Sequence, residues 1–246
     1  MRDIELEKRL ARAVEELTSL VPAGIKVEDE DSDARVRKLP DGNNPPLDWA
    51  SPGITPDEWF FITTLYGTMT KEGQWTHIRK FFPLFVQLVR RDIRNFTTEL
   101  LANWELRYPW MKQRLCRMAK VLQQSGLTME GYVAALREIE SKATPDNPTP
   151  ALDRIIRDHR AGGVKTLSVF IRDAVKGNCF PIDSRVENQL TTYDLPVNER
   201  CLVSLCLSMD LNPRKVARIF YWTAEEQTPA EVSDGGYCPR LRRKSG

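Results

Sequence analysis

The chain has 246 residues, 41% of them hydrophobic and 28% charged, and a formal net charge of +2 at pH 7. This length and composition are typical of one large or two small globular domains with a hydrophobic core. No segment approaches the roughly 18 uninterrupted apolar residues of a membrane span, and the start Met1-Arg2-Asp3-Ile4-Glu5 lacks the pattern of a signal peptide, so we expect an intracellular protein, in the cytoplasm or nucleoid, without a membrane partner.

Helical periodicity is the main pattern along the chain. An amphipathic helix is predicted over 4–20, and the periodicity then disappears over 21–55, where acidic residues and prolines indicate a linker or an extended strap. Further helices are predicted over 56–68, 77–89, 96–104, 112–124, 128–141, 150–158, 165–175, 184–190, 198–209 and 213–223. No strand pattern is visible, so the sequence predicts an all-α fold with a helical domain over 56–228 and a flexible basic tail over 229–246.

The five cysteines predict neither disulfides nor a metal cluster. Their number is odd, and none forms a Cys-x-x-Cys pair. Cys201, Cys206 and Cys238 lack the tight spacing that an iron–sulfur cluster needs. The chain has only two histidines, His77 and His159, so we also expect no zinc site.

The charges are unevenly distributed. Residues 1–58 carry eight Lys and Arg against fourteen Asp and Glu, whereas residues 77–120 carry ten against three. A basic block beside an acidic one is typical of a phosphate-binding face, although ordinary solvated helix faces give the same composition.

A lysine and an aspartate eighteen residues apart form the most informative pair. Gly162-Gly163 precedes a predicted helix whose first turn contains Lys165, and Asp183 stands where an N-cap would begin the next helix. A helix followed by a tight return can bring these two helix starts together, and an amine beside a carboxylate suits nucleophilic chemistry on an anionic substrate. The alternative is a surface lysine and a simple N-cap.

These residues resemble the helix-hairpin-helix DNA glycosylases, the superfamily of endonuclease III and the 8-oxoguanine glycosylases. Lys165-Thr166 and Ile182-Asp183-Ser184-Arg185-Val186 are similar to the family's catalytic segments, at a separation that the family also uses. The hairpin departs from the family's Leu-Pro-Gly-x-Gly pattern and keeps only its second glycine, at Gly163.

Two upstream segments extend the resemblance. The segment 59–70 is similar to the family's early helix and its DNA-facing turn, and Lys71 to Trp75 is similar to the archaeal 8-oxoguanine glycosylase branch. The segment Arg107 to Leu115 is similar to the family's Tyr-x-x-x-Lys-x-x-Arg-Leu helix.

The resemblance implies two helical subdomains with an active site in the cleft between them. It implies a monomeric DNA glycosylase that flips a modified, 8-oxoguanine-like base out of double-stranded DNA and nicks the abasic site through a Schiff base on Lys165, assisted by Asp183, without a cofactor. The expected DNA contacts are Gly162, Gly163, Arg185, Thr68, Thr70 and Arg114. The candidates for stacking or wedging are Trp75, which we expect in a polar turn, Tyr66 and Trp110.

Other functions remain open. Each aromatic candidate has core packing as its alternative, and Arg185 has ordinary solvation. A helical protein of phage or antiphage defence, binding DNA or processing hypermodified bases without standard repair activity, fits the same pattern, and so does an all-α protein-interaction scaffold.

Overall fold

The structure, a computed structural model, describes residues 3–21, 55–67, 71–159 and 163–226, without the side chains of residues 71, 72, 75, 225 and 226. These residues are mostly helical and form no β-strand, so the all-α prediction is confirmed for them. The helices are α1 (Ile4–Leu20), α2 (Pro56–Leu65), α3 (Lys71–Leu88), α4 (Thr98–Ala102), α5 (Pro109–Ser125), α6 (Met129–Glu140), α7 (Pro150–His159), α8 (Val164–Phe170), α9 (Ser184–Thr192), α10 (Glu199–Ser208) and α11 (Pro213–Glu226).

Local capping chemistry explains most helix starts. The side chains of Thr128, Asp183 and Asn198 each accept a backbone N–H from the first turn of the helix that follows, as N-cap residues do. Helices α5, α7 and α11 begin at a proline, whose fixed φ suits the first helical position.

Several predicted helices differ from the structure in their limits. The helix predicted over 56–68 ends at Leu65, and the helix predicted over 112–124 begins at Pro109. Helix α3 begins at Lys71 and not at His77, so the segment interpreted as a polar turn is helical. Helix α4 covers only Thr98–Ala102 of the predicted 96–104, because the Thr97 side chain caps it and the chain leaves the helix after Asn103. Helix α8 continues as one π-helical turn, Ile171–Val175.

The buried apolar side chains form two clusters. The first is built by α2 to α8 and the π-helical turn, and contains a stack of Phe61, Phe85 and Phe96. The second is built by α1 and α9 to α11, so the first described helix shares a core with the last three described helices. Cys179 belongs to the first cluster and Phe180 to the second. The loop between α8 and α9 therefore marks the junction of the two cores.

Two predicted segments fall almost entirely outside the described residues, namely the strap over 21–55 and the tail over 229–246. Among the helices that are described, none is both long and apolar enough to cross a membrane.

Candidate active site

Lys165 and Asp183 meet at the junction of the two cores. Lys165 lies in the first turn of α8, whose buried residues Leu167 and Phe170 belong to the first cluster. Asp183 caps α9, whose Val186 belongs to the second cluster. The Lys165 Nζ lies 3.4 Å from the Asp183 Oδ2. The lysine side chain is 47% exposed and the aspartate only 13% exposed, so the amine is accessible beside a mostly buried carboxylate.

The two oxygens of Asp183 have different partners. Oδ1 accepts the backbone N–H groups of Arg185 and Val186 at 3.1 and 3.0 Å, and thereby caps α9. Oδ2 contacts Lys165 and also accepts a hydrogen bond from Arg185 Nη2 at 3.1 Å. Burial alone would raise the pKa of Asp183, but the Val186 N–H and the positive charges of Lys165 and Arg185 outweigh it and lower that pKa. The carboxylate is therefore ionised at neutral pH.

The N-cap residue of α8 is a glycine, Gly163. Gly163 has φ +79°, and a Cβ there would lie 2.5 Å from Arg114 Nη2 and 3.4 Å from the Trp110 ring. Arg114 Nη2 donates to the Gly163 carbonyl at 2.8 Å, and Arg114 Nη1 donates to the Thr166 hydroxyl. Position 163 thus combines positive φ with a close approach of α5, and both favour glycine.

The prediction that Arg114 contacts DNA is wrong for this structure. The side chain is fully buried, with its guanidinium 4.7 Å from the Trp110 ring centroid. Burial lowers the pKa of Arg114 to about 9. Arg114 instead supports the turn that carries Lys165, and the sequence did not reveal this because an arginine in a basic block is usually exposed.

The remaining predicted residues are more scattered. Arg185 lies beside Asp183, and its guanidinium is 5.3 Å from the ring of Tyr221 on α11. Trp110 is half-buried and stacks on Tyr108. Both Trp110 and Tyr66 pack against the first core. The prediction of a polar turn at Trp75 is wrong, since this residue lies within α3. Three predicted DNA contacts lie outside the described residues: Thr68, Thr70 and Gly162.

Two carboxylates hold the loop that joins α8 to α9. Glu140 of α6 accepts the Asn178 N–H at 2.6 Å, and Glu199 of α10 accepts the Phe180 N–H at 2.8 Å. Glu199 also accepts the hydroxyl of Ser168, one turn after Lys165. Burial raises the pKa of both glutamates.

These supporting residues were not found from the sequence. Glu199 follows the N-cap Asn198, where an acidic residue is expected for helix stability alone. Ser168 lies inside an apolar run and has no pattern of its own. Only the tertiary structure brings them together.

Within the ranges that the structure covers, no group of three or more His, Cys, Asp or Glu side chains could hold a metal ion. Cys238 lies outside these ranges, so the prediction of no cofactor stays a prediction. No protein-family model matches the chain, and no curated protein or solved structure is significantly similar to it.

Proposed function

We propose that this chain is a DNA glycosylase with abasic-site lyase activity, with Lys165 as the nucleophile and Asp183 as its charged partner. The observation that carries the proposal is the 3.4 Å approach of the half-exposed amine to a mostly buried, ionised carboxylate. Two ordinary surface side chains would not need one of the pair to be buried, anchored by backbone N–H groups and shared with an arginine.

The location of the pair supports a helix-hairpin-helix glycosylase fold with two helical subdomains. Lys165 extends from an element of the first core, and Asp183 from an element of the second. A site in the cleft between two such subdomains would receive an extruded nucleotide from the open side. The turn at Gly163 would face the DNA backbone, and the substrate would be double-stranded DNA with a modified, 8-oxoguanine-like base.

The chemistry follows from the two groups. The neutral Lys165 amine attacks the sugar C1′, the bond from C1′ to the base breaks, and the base leaves with the bonding electrons and takes up a proton. Opening of the sugar ring then gives a Schiff base on Nζ. Only the unprotonated amine can attack, because an ammonium group has no lone pair. Because the pKa of Asp183 is lowered, its carboxylate is a weak base, and its stronger contribution is to stabilise the positive charge that develops on the sugar.

Borohydride trapping on an abasic-site duplex tests the proposal, because reduction converts the Schiff base into a stable covalent adduct. We expect the parental protein to be trapped and Lys165→Gln to give no adduct. Lys142→Gln is the matched control, since Lys142 is exposed and forms an ion pair with the exposed Glu138 of α6. Equal trapping of the Lys165→Gln variant and the parent would show that another amine is the nucleophile.

The same experiment separates the alternative functions. A parental protein that binds DNA in a salt-dependent manner but gives no adduct would be a helical DNA-binding protein, or one that processes hypermodified bases by other chemistry in phage or antiphage defence. If the parental protein is trapped, a panel of duplexes with different modified bases would identify the base, because a glycosylase releases its own target fastest.

A further inference from the structure

We propose that Glu199 is a positioning residue that sets the distance between Lys165 and Asp183. This inference deepens the proposed function and rests on it for its catalytic meaning. Glu199 does not contact either residue directly, and it acts through Ser168 and Phe180, which lie close to them in the chain.

The geometry places one carboxylate oxygen between the two halves of the site. Glu199 Oε1 accepts both the Ser168 hydroxyl and the Phe180 N–H, the latter at 2.8 Å. Ser168 lies one helical turn after Lys165, and Phe180 lies three residues before Asp183. A single atom of α10 therefore connects the lysine helix to the segment that ends at the aspartate.

The buried surroundings make this connection stiff. The Ser168 and Phe180 side chains are fully buried, so water cannot replace a lost bond to Glu199 without rearrangement. The bridge also crosses between the two cores, since α8 packs in the first cluster whereas Phe180 and α10 belong to the second. Loss of the bridge would let the two cores shift relative to each other where the amine and the carboxylate meet.

Glu140, the other carboxylate that holds the loop, does not connect the loop to α8. Glu140 accepts the N–H groups of Asn178 and Ala151, and neither belongs to the lysine helix. Glu140 therefore fixes the middle of the loop, whereas Glu199 alone among these two carboxylates also contacts α8.

Four variants separate positioning from general stability. Ser168→Ala removes the bond to the lysine helix and leaves the Phe180 bond intact. Glu199→Ala removes both bonds, and Glu199→Gln keeps an oxygen that can accept both. Thr223→Val is the matched control, because it removes a buried hydroxyl of α11 whose partners are Gln189, Ile219 and Phe220, and none of these belongs to α8 or to the loop.

The first measurement is independent of activity. The lysines of the full-length protein are dimethylated with a ¹³C label and observed by NMR, and the Lys165 signal is assigned with Lys165→Arg. The change in the chemical shift of this signal on Asp183→Asn is then recorded. This change reports how close the amine and the carboxylate are. We expect it to fall by more than half in Ser168→Ala and Glu199→Ala, and to persist in Glu199→Gln and Thr223→Val.

The second measurement is the rate of borohydride trapping on an abasic-site duplex. We expect Ser168→Ala and Glu199→Ala to be trapped about tenfold more slowly or worse, because a displacement of about 1 Å can cost up to about a hundredfold in rate. Glu199→Gln should recover most of the parental rate.

Several results would overturn the inference. One is a Ser168→Ala variant whose Lys165 response and trapping rate equal those of the parent. Another is a loss of both in Thr223→Val as large as in Ser168→Ala. The third is a Glu199→Gln variant that is as impaired as Glu199→Ala. A parental protein that shows the Lys165 response but no trapping would disprove the proposed chemistry, while the response in the variants would still decide whether Glu199 positions the pair.

Discussion

The two oxygens of Asp183 have separate partners, so one can cap α9 while the other takes part in the proposed chemistry. Oδ1 caps α9, and Oδ2 lies against two cations. The two interpretations left open by the sequence, a simple cap and a catalytic carboxylate, are therefore compatible in one side chain. An asparagine with the same orientation would keep the capping oxygen and lose the charged one.

Asp183→Asn should accordingly preserve folding and impair chemistry. Asparagine is as good an N-cap as aspartate, so we expect a change in the free energy of unfolding below about 1 kcal/mol. We expect trapping on an abasic-site duplex to slow about a hundredfold, measured as a single-turnover rate. Asn198→Asp makes the reverse change at the cap of α10 and should leave the rate unaltered. A parental rate in Asp183→Asn would reduce Asp183 to a helix cap.

His159 is a second residue whose environment has a measurable consequence. Its imidazole is fully buried against Phe60, near Arg114 and Arg117, and burial together with these two charges lowers its pKa to about 3. A histidine in the unfolded chain has a pKa of about 6.5. Between about pH 6.5 and 3, His159 is therefore protonated in the unfolded chain and neutral in the folded protein. His159 thus makes the protein less stable as the pH falls through this window.

The pH dependence of stability in His159→Leu tests this assignment. Well below pH 6.5, His159 lowers the free energy of unfolding by up to about 1.4 kcal/mol for each pH unit of acidification. Partly buried carboxyls with raised pKa, such as Asp57 at about 6, act in the opposite direction, so the informative quantity is the difference between variant and parent. We expect denaturant unfolding at pH 6.5, 5.5 and 4.5 to show that the variant loses less stability on acidification. Parallel curves would mean that the imidazole titrates normally in the folded protein.

At the scale of the elements, the sequence predicts what local chemistry determines. Asn198 and Asp183 act on backbone groups two or three residues away, so the starts of α9 and α10 were predictable. Arg114 and Glu199 act across 49 to 52 and 19 to 31 residues, respectively, and their partners depend on how helices pack. The Lys165–Asp183 pair was predictable because a helix and a tight return fix its geometry, whereas the groups that support the pair were not.

Gly163→Ala and Gly126→Ala together test the turn before α8. Both glycines have positive φ, +79° and +69°, so alanine imposes backbone strain of about 1–2 kcal/mol at either position. A Cβ at Gly126 meets open space, whereas one at Gly163 meets the Arg114 guanidinium. We expect Gly163→Ala to destabilise the protein more in chemical denaturation and to weaken DNA binding, and Gly126→Ala to leave binding unchanged. Equal effects of the two substitutions on binding would remove the case for a DNA-facing turn at Gly163.

At the scale of the whole molecule, the fold separates the cations of the basic block 77–120 into different groups. Lys80, Arg91 and Arg94 form ion pairs with Glu105, Glu58 and Asp92, respectively. Arg114 is buried. Arg117 is exposed on α5, and its Nη1 donates to the His159 carbonyl at 3.2 Å, at the end of α7. Some exposed cations of the block are therefore already paired with carboxylates, whereas Arg117 of α5 lies beside the end of α7.

Salt-dependent binding should distinguish these cations. If DNA lies along the turn before α8, Arg117→Gln removes one phosphate contact, and the slope of log affinity against log salt should fall in magnitude by about 0.9. Lys80→Gln removes the same formal charge from an ion pair at an exposed site, and we expect its slope to match the parent. Fluorescence anisotropy with an undamaged duplex across a range of salt concentrations measures both. Equal slopes for Arg117→Gln and the parent would place the DNA elsewhere, because the electrostatic contribution of each phosphate contact is independent of base sequence and of the chemistry at Lys165.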